Sequence, residues 1–287
     1  MRQNPSVHCR GLAGHVILVL FLIAVLIFIL PPTCRRPPNP DGRQRAQLHL
    51  LSTAVELHSN EFESYPPSDA NDPTGVAYCG ALKLCEAVMG QDLLGIHSDS
   101  VFRADGLDAA GGVELYLEDA KVWREPEHEA NLKARKGPYL QPENANAYRL
   151  ADIYGKDNSG PFDESLFVLC DIYIRKRPNG AKTGMPVLYY RADRDGTAHD
   201  VNDPDNEANI YDYRDNQALL ALGVPGEPDA VHPLAEPRRF YINTQSDKIV
   251  TQSRPYNADK FILISAGYDG LYGTADDICN FEWKYRE

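Results

Sequence analysis

The chain has 287 residues, 29 basic and 41 acidic, for a net charge of −12. That length allows one large domain or two small ones. A body this acidic repels phosphate backbones, so nucleic acid is set aside as a partner, and metal cations or cationic partners fit better.

The N-terminal 30 residues contain no Asp or Glu, and Val16–Leu30 is unbroken apolar sequence. At helical rise the run spans about 22 Å, and about 30 Å when counted from Gly11, the thickness of a hydrocarbon core. A transmembrane helix is predicted over residues 15–30, after a short leader-like segment at 1–14. No small-x-small site follows Leu30, so a retained anchor is preferred to a cleaved signal peptide. The segment is expected to cross the membrane once, and charge gives little help with its orientation, because Arg2 and Arg10 face Arg35, Arg36, Arg43 and Arg45 across it. Residues 31–42 form a Pro-rich joint, and 43–287 form the head.

A helix is predicted from Arg43 to Glu63. Leu48, Leu51, Val55 and Phe62 recur at helical spacing with Ala54 and Leu57 beside them, and Gln44, Arg45, Ser52, Glu56, Ser59 and Glu63 make the polar face. Tyr65-Pro66-Pro67 ends it, because proline lacks a donor and pushes its predecessor into extended conformation. A second helix is predicted from Tyr78 to Gly90. Lys133–Leu140 reads as a solvated helix C-terminus closed by Gly137 and Pro138. The stretch of about 70–150 is expected to be a mostly helical insertion.

Strands are expected at Ser165–Ile174 and Met185–Arg191, antiparallel neighbours with a turn signal at Asn179-Gly180. Phe240–Ile242 is too short to assign, Asp193–Asp215 reads as a flexible acidic loop, and Phe261–Ile264 supplies the last core strand. Strands grouped after helices argue for an α+β fold.

Six cysteines occur, none in a C-x-x-C pair, which disfavours structural zinc. Cys79 with Cys85, and Cys170 with Cys279, are the candidate disulfides; the alternative is that all four are small buried residues. The eight histidines are scattered, and His-Glu-x-x-His, Gly-x-Ser-x-Gly, Walker and Gly-x-Gly-x-x-Gly motifs are absent. No catalytic residue is assigned, and a non-enzymatic role is expected.

The most distinctive stretch is Ser265-Ala266-Gly267-Tyr268-Asp269-Gly270-Leu271-Tyr272-Gly273-Thr274-Ala275-Asp276-Asp277, entered directly from the last apolar run. Glycines permit tight backbone, and carboxylates with a hydroxyl and carbonyls make an all-oxygen set that suits a hard cation such as Ca²⁺. The alternative is a turn in which aspartates cap their own backbone.

The apolar N-terminal helix, the amphipathic helix ending in Tyr-Pro and the strand entering Ser-Ala-Gly-Tyr-Asp-Gly…Asp-Asp together resemble type IV pilin-like proteins, most closely the G-type major pseudopilin of type II secretion systems. The resemblance covers roughly residues 11–67 and 160–281. It implies a long N-terminal helix, half in the inner (cytoplasmic) membrane and half amphipathic, packed on a small antiparallel sheet, with the bulk of the chain periplasmic or extracytoplasmic. It also implies a structural calcium site in the C-terminal loop. Carboxylates would come from Asp269, Asp276 and Asp277, with the Ala266 carbonyl and Thr274 as further ligands. The implied partners are other pilin-like subunits, inner-membrane secretion components, membrane lipid and a prepilin peptidase cutting between Gly14 and His15. Val19 stands where the family carries glutamate at the fifth mature position. The implied function is a pseudopilin-like structural subunit of a type II secretion or related pilus-like envelope system. The alternative is a solitary anchored binding protein on the same fold.

Overall fold

A computed structural model describes residues 39–116, 126–227, 229–248 and 253–286. In chain order the first half contains α1 (Pro40–Phe62), α2 (Gly80–Met89), β1 (Ile96–His97), α3 (Pro126–Lys133), β2 (Arg135–Lys136), α4 (Pro142–Ala145), β3 (Ala147–Arg149) and α5 (Leu150–Tyr154). There follow β4 (Phe167–Leu169), β5 (Arg175–Lys176), β6 (Lys182–Thr183), β7 (Leu188–Arg191), α6 (Gln217–Leu220), α7 (Pro237–Thr244), β8 (Phe261–Ser265) and β9 (Ile278–Cys279).

The centre is an antiparallel sheet in the order β7-β8-β9, with Leu188 opposite Ile264 and Tyr190 opposite Ile262. Side chains alternate across a strand. Tyr189, Phe261 and Leu263 therefore pack in one core with α1 and α2, while Leu188, Tyr190, Ile262 and Ile264 pack in a second core with Phe240 and Tyr241 of α7. Burial on both faces is why β8 reads as an unbroken apolar run rather than an alternating one. Beside β7, the Cys170–Pro186 bridge and the Val187 N–H to Leu169 carbonyl bond carry the hydrogen bonding on to β4. Three two-stranded ladders, β1-β2, β3-β4 and β5-β6, complete the strands named above.

The fold is α+β with small antiparallel sheets, but the expected long N-terminal helix is corrected. The first helix of the described residues, α1, begins at Pro40, and its 23 residues carry Asp41, Arg43, Arg45, Glu56 and Glu61. Among the described residues no helix is long and apolar enough to cross a membrane, which corrects the expected single-pass inner-membrane placement. The predicted leader at 1–14, membrane helix at 15–30, processing pair Gly14 and His15, and most of the joint at 31–42 lie outside the described residues.

Within α1, Leu48, Leu51, Ala54 and Val55 are buried as predicted, each fully buried leucine or valine being worth about 1.5–3 kcal/mol. Three polar residues, Gln44, Gln47 and His58, also face inward. Gln47 Nε2 donates to the Cys170 carbonyl at 2.8 Å, and Gln44 Oε1 accepts the Ile172 N–H at 2.9 Å. The helix thus satisfies backbone groups that the short strand β4 leaves unpaired. Leu57, placed beside the stripe by its spacing, is instead exposed.

The segment expected to be mostly helical is mixed, combining α2 and short helices with β1, β2 and β3. Glu86 of α2 ties its loops inward, accepting hydrogen bonds from Ser100 Oγ (2.5 Å), Tyr78 OH (2.6 Å) and Tyr116 OH (2.8 Å). The expected basic helix terminus is also corrected. Helix α3 stops at Lys133, and Arg135 lies in β2, buried, with both terminal nitrogens 3.0 Å from the Asp92 carboxylate and its guanidinium over Tyr116. Phe240–Ile242 belongs to helix α7, which Pro237 starts in the first turn, where a missing N–H costs nothing.

The acidic stretch 193–215 is not a merely solvated loop. Ala198 bridges Asn209, and His199, Tyr211 and Asp215 are buried.

Candidate functional site

The loop from Ala266 to Asp277 leaves the C-terminal end of β8 and returns into β9. Gly267, with φ +65°, sits so close to the opposite limb that a Cβ would lie 2.3 Å from the Asp276 carbonyl oxygen and 2.8 Å from its carboxylate. Only glycine suits that combination of left-handed backbone and close approach. Gly273, with φ +89°, would likewise drive a Cβ to 2.5 Å from the Leu234 nitrogen.

This closure brings Asp269 and Asp276 together. The Asp269 N–H donates to Asp276 Oδ2 at 2.9 Å, which brings the two carboxyl groups close enough to shift each other's titration. Burial, followed by the Asp276 charge, pushes the Asp269 carboxyl up. Burial pushes Asp276 the same way, but the Thr274 hydroxyl at 2.6 Å and the Asp269 N–H outweigh it and hold that carboxyl down. One carboxylate of a close pair is thus kept charged at the expense of the other.

Asp277 is brought to the same loop but turned inward. Its Oδ2 accepts the Gly273 N–H at 2.7 Å, its Oδ1 takes Thr274 N–H at 3.3 Å, and burial raises its carboxyl well above the usual range. No group of three or more His, Cys, Asp and Glu side chains converges as a metal cage among the described residues. The donor set facing the loop interior is therefore two carboxylates and the Thr274 hydroxyl. Its all-oxygen chemistry fits a hard cation, with backbone carbonyls such as that of Ala266 needed to fill the shell.

The four cysteines of the described residues are free and buried, which corrects both candidate disulfides. Cys79 and Cys85 are six residues apart along the start of α2, an axial offset of about 9 Å, beyond the roughly 7 Å a disulfide spans. Cys170 lies beside Pro186, while Cys279 pairs with Ile264 on the far side of β8. Those two are three strand spacings apart, about 14 Å.

The burial of several carboxylates, Asp171 and Asp215 among them, escaped the sequence reading. Asp171 is wholly buried beneath the loop, where Oδ1 accepts the Met185 N–H at 3.1 Å and Oδ2 accepts the Ser265 hydroxyl at 3.0 Å. Burial pushes its carboxyl up to about 7. Asp215 accepts a short hydrogen bond from the Ser68 hydroxyl, and burial pushes it up to about 8. Nothing local in sequence marks either, since both are made inward-facing by partners far along the chain.

No family model, curated protein or solved structure matches the chain.

Proposed function

We propose that the chain is a structural subunit of the pseudopilin kind, contributing to a type II secretion or related pilus-like envelope assembly, with calcium holding its C-terminal loop. The observation that supports this most is the facing pair Asp269 and Asp276 at the end of β8, the strand on which α1 packs. Asp269, Asp276, the Thr274 hydroxyl and the Ala266 carbonyl would hold the ion, while Asp277 keeps Gly273 and Thr274 in place. A bound cation supplies the charge that lets both facing carboxylates stay ionised.

Calorimetric melting with chelator and with calcium tests the metal. At about 10 mM calcium and a dissociation constant of about 10⁻⁴–10⁻³ M, the gain is about 1.4–2.7 kcal/mol. Asp269→Asn with Asp276→Asn removes that response, and a chelator response that survives the pair puts the metal elsewhere. Assembly is tested by photo-crosslinking from Leu50 and Leu57, the exposed leucines of α1. Adducts with pilin-like subunits support the proposal, and a chain that stays monomeric sinks it. A second reading, a non-polymerising binding protein, draws support from a groove between α1 and the edge of β9.

A further inference from the structure

Helix α1 and the edge of β9 stand on either side of a groove of about 610 Å³, well inside the range of ligand sites. One wall is the α1 face that carries Arg45, His49, Ser52 and Glu56, a run of about 16 Å at helical rise. The stretch from Cys279 to Glu282 makes the other, and Leu48 and Phe261 supply apolar lining.

The β9 edge is open on that side. Ile278 stands opposite Ser265 and Cys279 opposite Ile264, and the Asn280 N–H donates to the Leu263 carbonyl at 3.2 Å. Alternate residues of an antiparallel ladder turn their N–H and C=O to the neighbouring strand. Ile278 and Asn280 therefore bond β8, while Cys279 turns its N–H and C=O away from it. β9 ends its sheet, and among the described residues nothing bonds those two groups. An edge left in this state is a template for another strand.

The groove is charged oppositely at its two ends. At one, Lys260 Nζ and Glu56 Oε1 lie 2.9 Å apart and neutralise each other. The chain leaves β9 toward that end, because Asn280 lies against Leu263 and β8 starts at Phe261. Glu282 is thus placed there, with no ion pair among the described residues. Arg45 precedes Glu56 by about three turns of α1 and lies at the other end, within reach of Cys279. It too makes no hydrogen bond or ion pair among the described residues.

We propose that this groove takes a short extended segment of another protein, added antiparallel to β9, with a basic residue toward Glu282 and an acidic residue toward Arg45. A strand antiparallel to β9 runs from the Glu282 end to the Arg45 end, so its basic residue precedes its acidic one. At about 3.3 Å per residue, about five residues match the length of the α1 wall. The residue opposite Cys279 exchanges both backbone bonds with it, and alternate side chains meet the α1 wall. Main-chain bonds then supply affinity, and the end charges fix direction and register. A small anion meets Arg45 alone and leaves the strand edge unpaired. The proposal stands whether or not the chain joins an assembly.

Titration calorimetry of the full chain with acetyl-Lys-Val-Thr-Val-Glu amide tests the proposal. The comparators are the charge-reversed acetyl-Glu-Val-Thr-Val-Lys amide and a copy of the first peptide N-methylated along its backbone. One saturable site is expected for the first peptide, with the reversed peptide about tenfold weaker because each end then meets its own charge. The N-methylated copy, which lacks the donors, should not bind. Arg45→Glu with Glu282→Lys, both at exposed positions, should invert the preference between the two charged peptides. Ser52→Trp, which fills the groove from α1, should abolish binding, and the charge exchange keeps the test decisive if that variant does not fold. Absence of saturable binding by the first peptide, equal binding of the N-methylated copy, or a preference that survives the charge exchange overturns the proposal. So does self-association of the wild-type chain that Ser52→Trp removes, since a second copy would then be the occupant.

Discussion

Asp171→Asn should make the protein more stable in mild alkali. The native carboxyl titrates at about 7 against an ordinary 3.8, because its burial disfavours the charged form. A carboxyl raised in the folded state binds its proton more tightly there than in the unfolded chain. Its contribution is therefore fully present below pH 3.8 and is lost as pH rises through about 7. At about 1.4 kcal/mol per pH unit, the loss is about 2 kcal/mol by pH 5 and about 4–5 kcal/mol by pH 8.5. Asparagine has the same shape, keeps an acceptor for the Met185 N–H and presents a donor to Ser265 Oγ, so it bears no such loss. Urea unfolding of wild type and variant at pH 5.0 and 8.5 measures the difference. The variant should gain on wild type by about 3 kcal/mol between the two pH values. Asp215 and Glu86, also raised by burial, give wild type and variant the same residual slope, which the subtraction removes. An unchanged gap between the two proteins across this range would falsify the assignment of Asp171 as a buried, proton-holding carboxyl.

Leu263 is wholly buried on the α1 face of β8, so Leu263→Ala should cost about 2–5 kcal/mol in the same urea assay; a loss under 1 kcal/mol would mean α1 does not seat there. Gly267→Ala places a Cβ 2.3 Å from the Asp276 carbonyl on left-handed backbone, and is expected to destabilise by about 1–3 kcal/mol and to abolish any calcium response; a melting curve matching wild type in both respects contradicts the loop geometry. Alkylation under denaturing, non-reducing conditions, read by peptide mass, should label Cys79, Cys85, Cys170 and Cys279 as thiols, and a crosslinked peptide pair among them would refute the strand spacing.

What the sequence made legible is what depends on near neighbours. The stripe Leu48, Leu51 and Val55 predicts both the helix and its buried side, because a 3.6-residue period needs no distant information. The Phe261–Ile264 run likewise predicts a core strand, and β8 occupies that run. The errors share one cause. Gln44 sits on the predicted polar face until its backbone partner, more than 120 residues later, is known. Arg135 reads as a solvated cation until Asp92 and Tyr116 come together around it. The groove between α1 and β9 had no local signature at all, being walled by Ser52, Lys260 and Phe281 from three separate stretches.

The strip from Cys170 to Arg175 joins α1 to the Asp/Gly loop, and its residues divide their bonds between the two. Toward α1, the Cys170 carbonyl and the Ile172 N–H meet Gln47 and Gln44, and Tyr173 OH donates to Asp41 at 2.7 Å. Toward the loop, Asp171 accepts from Ser265, Arg175 donates to the Tyr268 carbonyl, and the Tyr173 ring meets the Tyr268 ring edge-on at 6.3 Å. Each net hydrogen bond is worth about 0.5–1.5 kcal/mol, so the three on the α1 side hold its first turns by about 1.5–4.5 kcal/mol. A loop that shifts displaces Ser265 and Tyr268, and with them the strip against which Gln44 and Gln47 are satisfied. Because both glutamines are buried, losing those partners costs more than making them gains. The N-terminal turns of α1 should therefore respond to the state of a loop more than 220 residues away, while its C-terminal turns, held by Leu51 and Val55 in the apolar core, should not. Hydrogen exchange across α1 in the Gly267→Ala protein separates the two halves, and equal protection in both would show that the strip carries no coupling.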